Sequence, residues 1–357
     1  MLKKTTHSLS SHHDTQLLQR KNEHLDIVLS PSQAKTTTQT GFERWRFEHC
    51  ALPEIDFSEI DLSMPWLGKT LQAPVLLSSM TGGAQRARDI NQHLAKAAQT
   101  LGLAMGVGSQ RVALEHQSDA GLDHTLREIA PDIPLLANMG AAQLAGQLGV
   151  SNAQRAVEMI DADALIIHLN PLQEALQHGG DRNWRGITAA IGKVVSQLKV
   201  PVIVKEVGAG LSPAVAQKLR DVGVSWLDVA GSGGTSWAAI EGERAPDEQT
   251  RTVALAFADW GIPTAEALIS LRAAFPHQPL IASGGIKNGI EIAKAIALGA
   301  DLVGLAAALL PSAMISSEAV TTHLKTIILQ LQTACFCTGS ETLSALRQAP
   351  IHLHGER

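Results

Sequence analysis

The chain has 357 residues, is 45% hydrophobic and 18% charged, and carries 29 basic against 34 acidic residues for a formal net charge of −5. That balance excludes a general nucleic-acid binder, and the scarcity of aromatics (3%, with no Tyr) removes the stacking platforms that hold single strands. Three cysteines, Cys50, Cys335 and Cys337, make no disulfide framework and lack zinc-site spacing, so reduced thiols in a cytoplasmic protein are expected.

Lys3 and Lys4 are followed by no apolar run of the signal-peptide kind, and the uncharged stretch near 302–317 is broken by Gly304 and Pro311. Neither an export signal nor a membrane span is expected. Residues 1–19 are rich in Ser, Thr and His and read as a mobile tail, in which His7, His12 and His13 are a weak metal signal. "QRKNEHLDIVL" (19–29) brings Arg20, Lys21 and His24 together. Taken alone it is a charged helical turn. Residues 31–73 read as irregular structure with a few strand-like pieces.

From residue 74 a regular alternation begins. Apolar runs "PVLLSSM" (74–80), "LAMGVGS" (103–109), "IPLLANMG" (133–140), "ALIIHLN" (164–170), "VPVIVKEVG" (200–208), "SWLDVAG" (225–231), "PLIASGG" (279–285) and "DLVGLAA" (301–307) recur. Such continuous runs fit strands covered on both faces, and segments such as 89–101 and 289–298 carry the 3.6-residue period of crossover helices. Eight such units predict a (β/α)8 TIM barrel with an N-terminal extension, a doubly wound sheet being the alternative. In a barrel the chemistry lies at the C-terminal strand ends, and the polar clusters of this chain fall there.

After the seventh and eighth runs, "ASGGIKNG" (282–289) and "GLAAAL" (304–309) predict a phosphate cradle. Gly284 and Gly285 expose backbone N–H groups, the helix N-terminus beyond adds partial positive charge, and Lys287 adds a point charge. Ala306 and Ala307 leave room for the backbone to approach. Four further strand ends could surround a flat polar ring. They hold main-chain donors and Thr81 in "SSMTGGA", Ser109 and Arg111 in "GVGSQR", Asn138 in "ANMG" and Lys205 in "VIVKEVG", and "DVAGSGGTSW" (228–237) adds a Gly-rich loop after the sixth run. A buried lysine needs an anion or an acceptor, which the N1/C2=O edge of a reduced flavin offers. Phosphate and ring together predict FMN. "ALIIHLNPLQE" (164–174) meanwhile delivers His168, Asn170, Gln173 and Glu174 at the end of the fourth run.

"RKNEH", "SSMTGGA", "GSQR", "NMG", "HLNPLQE", "GDRNWRG", "VKEVG", "GSGGTSW" with Glu241 beyond it, and "SGGIKNG" occur in this order. With them the chain resembles the type 2 isopentenyl-diphosphate isomerases, FMN-dependent barrel enzymes, from about Arg20 to the C-terminal segment. The resemblance implies one domain over 20–357, with 20–73 as a substrate-binding segment, and a homo-oligomer, tetramer or octamer. It implies interconversion of isopentenyl and dimethylallyl diphosphate using reduced FMN and Mg2+, with NADPH serving only to reduce the flavin. FMN would lie against Met80, Thr81, Gly82, Ser109, Asn138, Lys205 and Thr235, and its phosphate against Gly285, Ile286, Lys287, Ala306 and Ala307. The substrate diphosphate would meet Arg20, Lys21, His24, Arg111, His168 and Asn170. Glu174 would bind the metal, while Gln173, His168, Trp237 and Glu241 would serve the reacting alkene. Lys287 stands where Arg is common, and Ala230 where some members have Ser; both bear on cofactor affinity rather than on the reaction.

Two rival readings are weighed against this one. An FMN-dependent 2-hydroxy-acid oxidase needs a base near the flavin, but the only His between residues 230 and 285 is His277, ahead of the seventh run. A silent flavin-binding protein leaves His168, Gln173, Glu174 and Trp237 without a purpose.

Overall fold

The computed structural model describes residues 22–30, 37–80, 85–116, 121–146 and 148–354. Eight parallel strands close into a barrel: β1 (Val75–Leu77), β2 (Ala104–Gly106), β3 (Leu135–Gly140), β4 (Ala164–Leu169), β5 (Val202–Glu206), β6 (Trp226–Asp228), β7 (Leu280–Ala282) and β8 (Leu302–Leu305). Each arises from one of the eight apolar runs, and β8 pairs with β1 to close the ring through Val303, Gly304 and Leu305. The doubly wound alternative is thereby excluded.

Strand alternation divides the core in two. Leu76, Ala104, Leu136, Ala164, Ile166, Ile203, Ile281 and Leu302 fill the barrel interior. Val75, Leu77, Met105, Leu135, Leu165, Ile167, Val202 and Val204 face outward into the layer beneath the helices. Helices predicted at 89–101 and 289–298 span Gln85–Leu101 and Gly289–Ala297, and both pack on the long helix Ser317–Cys337. The first of these starts four residues earlier than its apolar period indicates.

The segment before the barrel is more ordered than its composition predicts. Met64–Trp66 and Lys69–Leu71 form a hairpin whose turn residues Leu67 and Gly68 both have positive φ. Trp66 and Leu71 plug the interior core at the N-terminal end of the barrel, where Trp66 meets Trp226 edge-on at 5.6 Å. Trp45–Phe47 pairs antiparallel with Ile351–Leu353, tying the extension to the C-terminal segment. All three cysteines are free, and burial pushes the Cys335 thiol up to about 12, which suits an inert core position. Among the described residues no helix is long and apolar enough to cross a membrane. The expected tail, 1–19, lies outside the described residues.

Residues 22–29 form a helix across the C-terminal mouth of the barrel. Its Leu25 belongs to the core, Asp26 pairs with Arg86 at 2.6 Å, and Glu23 pairs with Arg244 at 2.9 Å. Farther on, the Asp259 carboxylate accepts from the backbone N–H and hydroxyl of both Thr37 and Thr38, which fastens the chain ahead of the barrel to the rim.

Candidate active site

A cavity of about 550 Å³ opens at the C-terminal end of the barrel beneath the 22–29 helix. That volume is in the range of cofactor sites. Its floor follows from the same alternation that builds the core. Inward positions carry apolar side chains low in the barrel (Leu76, Leu136, Ile166, Ile203) and polar or small ones two residues later: Ser78, Asn138, His168 and Lys205.

Asn138 donates through Nδ2 to the carbonyl of Val107 at 3.0 Å, which turns its Oδ1 toward His168 Nδ1 at 2.9 Å. Because that oxygen only accepts, Nδ1 carries the proton in this pair. Lys205 is 7% exposed and donates through Nζ to the carbonyl of Glu206. Asp228, 1% exposed, accepts from the Ser283 hydroxyl at 2.7 Å. Burial pushes the Asp228 carboxyl up, while the charge of Lys205 and the bonds from Ser283 and the Ala230 N–H pull it down. Glu206 is also raised by burial, against the N–H groups of Ala209, Val207 and Gly208 and the Lys205 charge.

At the phosphate end, part of the N-terminus of the helix Gly289–Ala297 is already engaged: Asn288 Oδ1 accepts from Glu291 N, Gln330 Oε1 from Gly289 N, and the Glu291 carboxylate from Lys287 N just ahead of it. The loop before the helix offers further donors. Gly284 and Gly285 have φ of +103° and +73°, and no backbone carbonyl takes the N–H of Gly284, Gly285 or Ile286 among the described residues. Any side chain at Gly285 would overlap the carbonyl of Gly233. Opposite, Ala306 and Ala307 line the same cavity, as does the exposed Lys287.

Among the described residues three buried polar atoms on the cavity wall have no partner: Ser78 Oγ, Ser79 Oγ and Asn170 Oδ1. Leaving a buried polar atom unpaired is costly, so their position in a ligand-sized cavity points to a polar ligand. A ring with hydrogen-bonding edges over the floor and a phosphate on the 284–286 loop fits the donors present, and FMN has that shape.

The wall opposite carries a continuous ladder of polar side chains. It begins at Glu241, 4% exposed on the helix Trp237–Glu243, which Ser236 caps. Glu241 Oε1 accepts from His24 Nε2 at 3.0 Å and from Gln173 Nε2 at 3.4 Å, and its Oε2 pairs with Arg244 Nη1 at 2.8 Å. Burial alone would raise this carboxyl, but the hydrogen bond and charge of His24, the charge of Arg244 and the Gln173 amide outweigh it and hold it below the ordinary value. Trp237 meets the His24 ring edge-on at 5.2 Å.

The ladder continues through Asn170 Nδ2, which donates to Gln173 Oε1 at 3.1 Å and to Glu174 Oε1 at 3.0 Å. The short helix Pro171–Leu176, started by its proline, presents both acceptors. Glu174, 4% exposed, also accepts through Oε2 from Asp181 N at 2.7 Å and from Gln177 Nε2 at 3.3 Å. Arg111 ends the ladder, with Nε on Glu115 and Nη1 on Asp181, both at 2.9 Å. Burial would lower its pKa, but the charges of Glu115, Asp181 and Glu174 raise it above the ordinary value, so it stays charged.

Among the described residues no three His, Cys, Asp or Glu side chains gather as a metal cage. A single carboxylate still fits Mg2+, which takes its remaining oxygens from phosphate and water.

The structure thus gathers Met80, Ser109, Asn138, Lys205, Thr235, Gly285, Ile286, Lys287, Ala306 and Ala307 with His24, Arg111, His168, Asn170, Gln173, Glu174 and Trp237 around one cavity, with Glu241 bonded behind Gln173. Arg20, Lys21, Thr81 and Gly82 lie outside the described residues. Sequence reading placed Glu241 but gave no site role to Arg244, which pairs with it at i,i+3 on a side chain only 2% exposed. It also left Asp181 unassigned inside "GDRNWRG".

Comparison with known proteins agrees with this geometry. The family model described as FMN-dependent dehydrogenase matches residues 16–124 and 141–353. A Cronobacter sakazakii protein named isopentenyl-diphosphate delta-isomerase is 65% identical over 343 residues, covering 96% of this chain and 99% of its own. A protein of the same name from Nostoc sp. is 50% identical over 330 residues, covering 92% and 94%. Among solved structures, a mandelate oxidase variant with benzaldehyde matches with a TM-score of 0.67 at 16% identity, over 95% of this chain and 98% of its own. A Pediococcus acidilactici lactate oxidase matches at 0.63 and 15%, over 95% and 94%. These two likenesses establish the barrel fold and nothing finer.

Proposed function

The chain belongs to the isopentenyl-diphosphate delta-isomerases and matches the FMN-dependent dehydrogenase family, and from that membership we propose that it shifts a proton 1,3 across isopentenyl diphosphate to give dimethylallyl diphosphate, with reduced FMN and Mg2+ bound. The reaction adds a proton at the terminal carbon of an unactivated alkene, removes one from the carbon next to the diphosphate-bearing carbon, and leaves no net oxidation. Reduced FMN, when bound, supplies proton-transfer chemistry at N5 that side chains perform poorly.

The chain's residues bind, orient and exclude water. Arg111 and His168 would meet the diphosphate, and Glu174 would hold Mg2+. By the family resemblance Arg20 and Lys21, outside the described residues, are expected to contact the diphosphate too. Leu25, Ile27, Val28 and Ile240 give the prenyl group an apolar wall. Trp237 lines the cavity and offers an aromatic ring to developing positive charge. Glu241, held ionised behind Gln173, is the carboxylate that would take up the proton lost at the alkene end, with the Gln173 side chain between it and the cavity. Ser78, Ser79, Asn138 and Lys205 would hold the ring, and the 284–286 loop the phosphate. A donor such as NADPH would keep the flavin reduced. The observation carrying this reading is the ladder from Glu241 to Glu174 and Arg111, which joins an ionised carboxylate beside apolar surface to an anion-and-cation end within one cavity.

The test is anaerobic turnover of the reduced, FMN-loaded protein with isopentenyl diphosphate and Mg2+, dimethylallyl diphosphate being the expected product. An oxidase would instead bleach oxidised flavin with a 2-hydroxy acid. Between residues 230 and 285, where that chemistry needs its base, the one histidine is His277, which precedes β7 at the opposite end of the barrel from the cavity.

Glu241 also yields a pH prediction. Its base form is present at neutral pH and is lost as pH falls through its lowered pKa. Arg244→Met removes one of the charges holding it down, so the acid limb of kcat/KM is expected to move to higher pH. A profile that superimposes on the unaltered enzyme would contradict the role given to Glu241.

A further inference from the structure

We propose that Asp181 is a positioning residue that yokes the diphosphate-binding Arg111 to the cation-binding Glu174, so that the site admits a diphosphate only as its divalent-cation complex. This rests on the isomerase reading and gives a task to "GDRNWRG", which that reading leaves unused.

Asp181 serves both partners at once. Its main-chain N–H donates to Glu174 Oε2 at 2.7 Å, while its carboxylate Oδ2 accepts from Arg111 Nη1 at 2.9 Å. Its carbonyl accepts from Trp184 Nε1 at 2.8 Å, which pins the loop. Gly180 lets the loop come this close, because a Cβ there would overlap the Glu174 carbonyl. Arg111 and Glu174 are 63 positions apart in sequence and sit after different strands, yet one residue fixes the distance between them.

The charges explain the selectivity. Arg111 faces three carboxylates, those of Glu115, Asp181 and Glu174, so the described charges of this corner are acidic overall. Carboxylates this close weaken the pull of Arg111 on a bare diphosphate, and they attract a divalent cation. Arg111 Nη2 has no partner among the described residues, and it remains available to a phosphate oxygen once the cation has offset the carboxylates. The two carboxylates on Nε and Nη1 keep the guanidinium plane fixed, which suits a directional contact.

The experiment uses the full FMN-loaded protein and Asp181→Asn, which keeps the backbone and side-chain shape and removes the charge. Calorimetry with inorganic diphosphate, with and without Mg2+, reads binding without turnover. The unaltered protein is expected to bind diphosphate with Mg2+ and not without it, and Asp181→Asn to bind the complex roughly 10–100-fold more weakly. In turnover the loss is expected in KM and in the Mg2+ concentration giving half-maximal rate, more than in kcat, with flavin content and melting temperature retained. Asp181→Glu should recover part of it.

Mg2+-independent binding by the unaltered protein, or unchanged binding by Asp181→Asn, overturns the proposal. A variant that loses flavin and kcat together shows a merely structural residue and overturns it as well. Should the unaltered protein bind the Mg2+–diphosphate complex yet make no dimethylallyl diphosphate, the isomerase reading fails while the yoke stands.

Discussion

Glu241→Gln is expected to lower kcat by roughly 10²–10⁴-fold, the usual worth of a positioned acid–base group, with FMN still bound. The substitution is nearly isosteric, and the amide oxygen can still accept from Gln173 or from Arg244. What it loses is the capacity to take a proton. Glu241 lies behind Gln173 and beside His24 and Arg244, away from the Ser78, Asn138 and Lys205 floor and from the 284–286 loop. Flavin content therefore should not follow activity. A kcat within a few-fold of the unaltered enzyme would mean that Glu241 merely ties the 22–29 helix to the barrel.

Glu174→Gln is expected to raise the Mg2+ requirement and reduce kcat/KM, each by at least about tenfold. The amide keeps an acceptor for the Asp181 N–H or the Asn170 amide, so the ladder largely survives, but the anionic ligand is gone. Flavin binding should again persist, because Glu174 lies on the wall opposite the floor. Loss of flavin with unchanged Mg2+ dependence would remove Glu174 from the metal and place it at the cofactor.

Most of the barrel was legible because it rests on short-range signals. Each strand is a continuous apolar run, and alternation alone decides that His168 and Lys205 share the interior face with Ile166 and Ile203. The candidate cofactor residues were legible for the same reason: they end strands. Relations across long sequence separations were not. The resemblance marks Glu241 as a site residue, but its burial shows only when the 22–29 helix folds over it with His24 and Glu23. Asp181 reads as one polar residue in a loop until the backbone turn at Gly180 brings it between Glu174 and Arg111.

Local competition at the phosphate end was not legible either: Asn288 and Gln330 take up the N–H groups of Glu291 and Gly289 at the start of that helix. Nor did composition reveal the Trp66 and Leu71 plug, which depends on Leu67 adopting a positive φ that Leu rarely takes.

The central claim is that this cavity runs a proton shift rather than a redox reaction. The most direct measurement is anaerobic incubation of the reduced, FMN-loaded protein with isopentenyl diphosphate and Mg2+ in D2O, followed by NMR. The account predicts dimethylallyl diphosphate carrying solvent deuterium, with the flavin still reduced when substrate and product reach equilibrium. Product formed without deuterium, flavin oxidised in step with turnover, or no dimethylallyl diphosphate at all would contradict it.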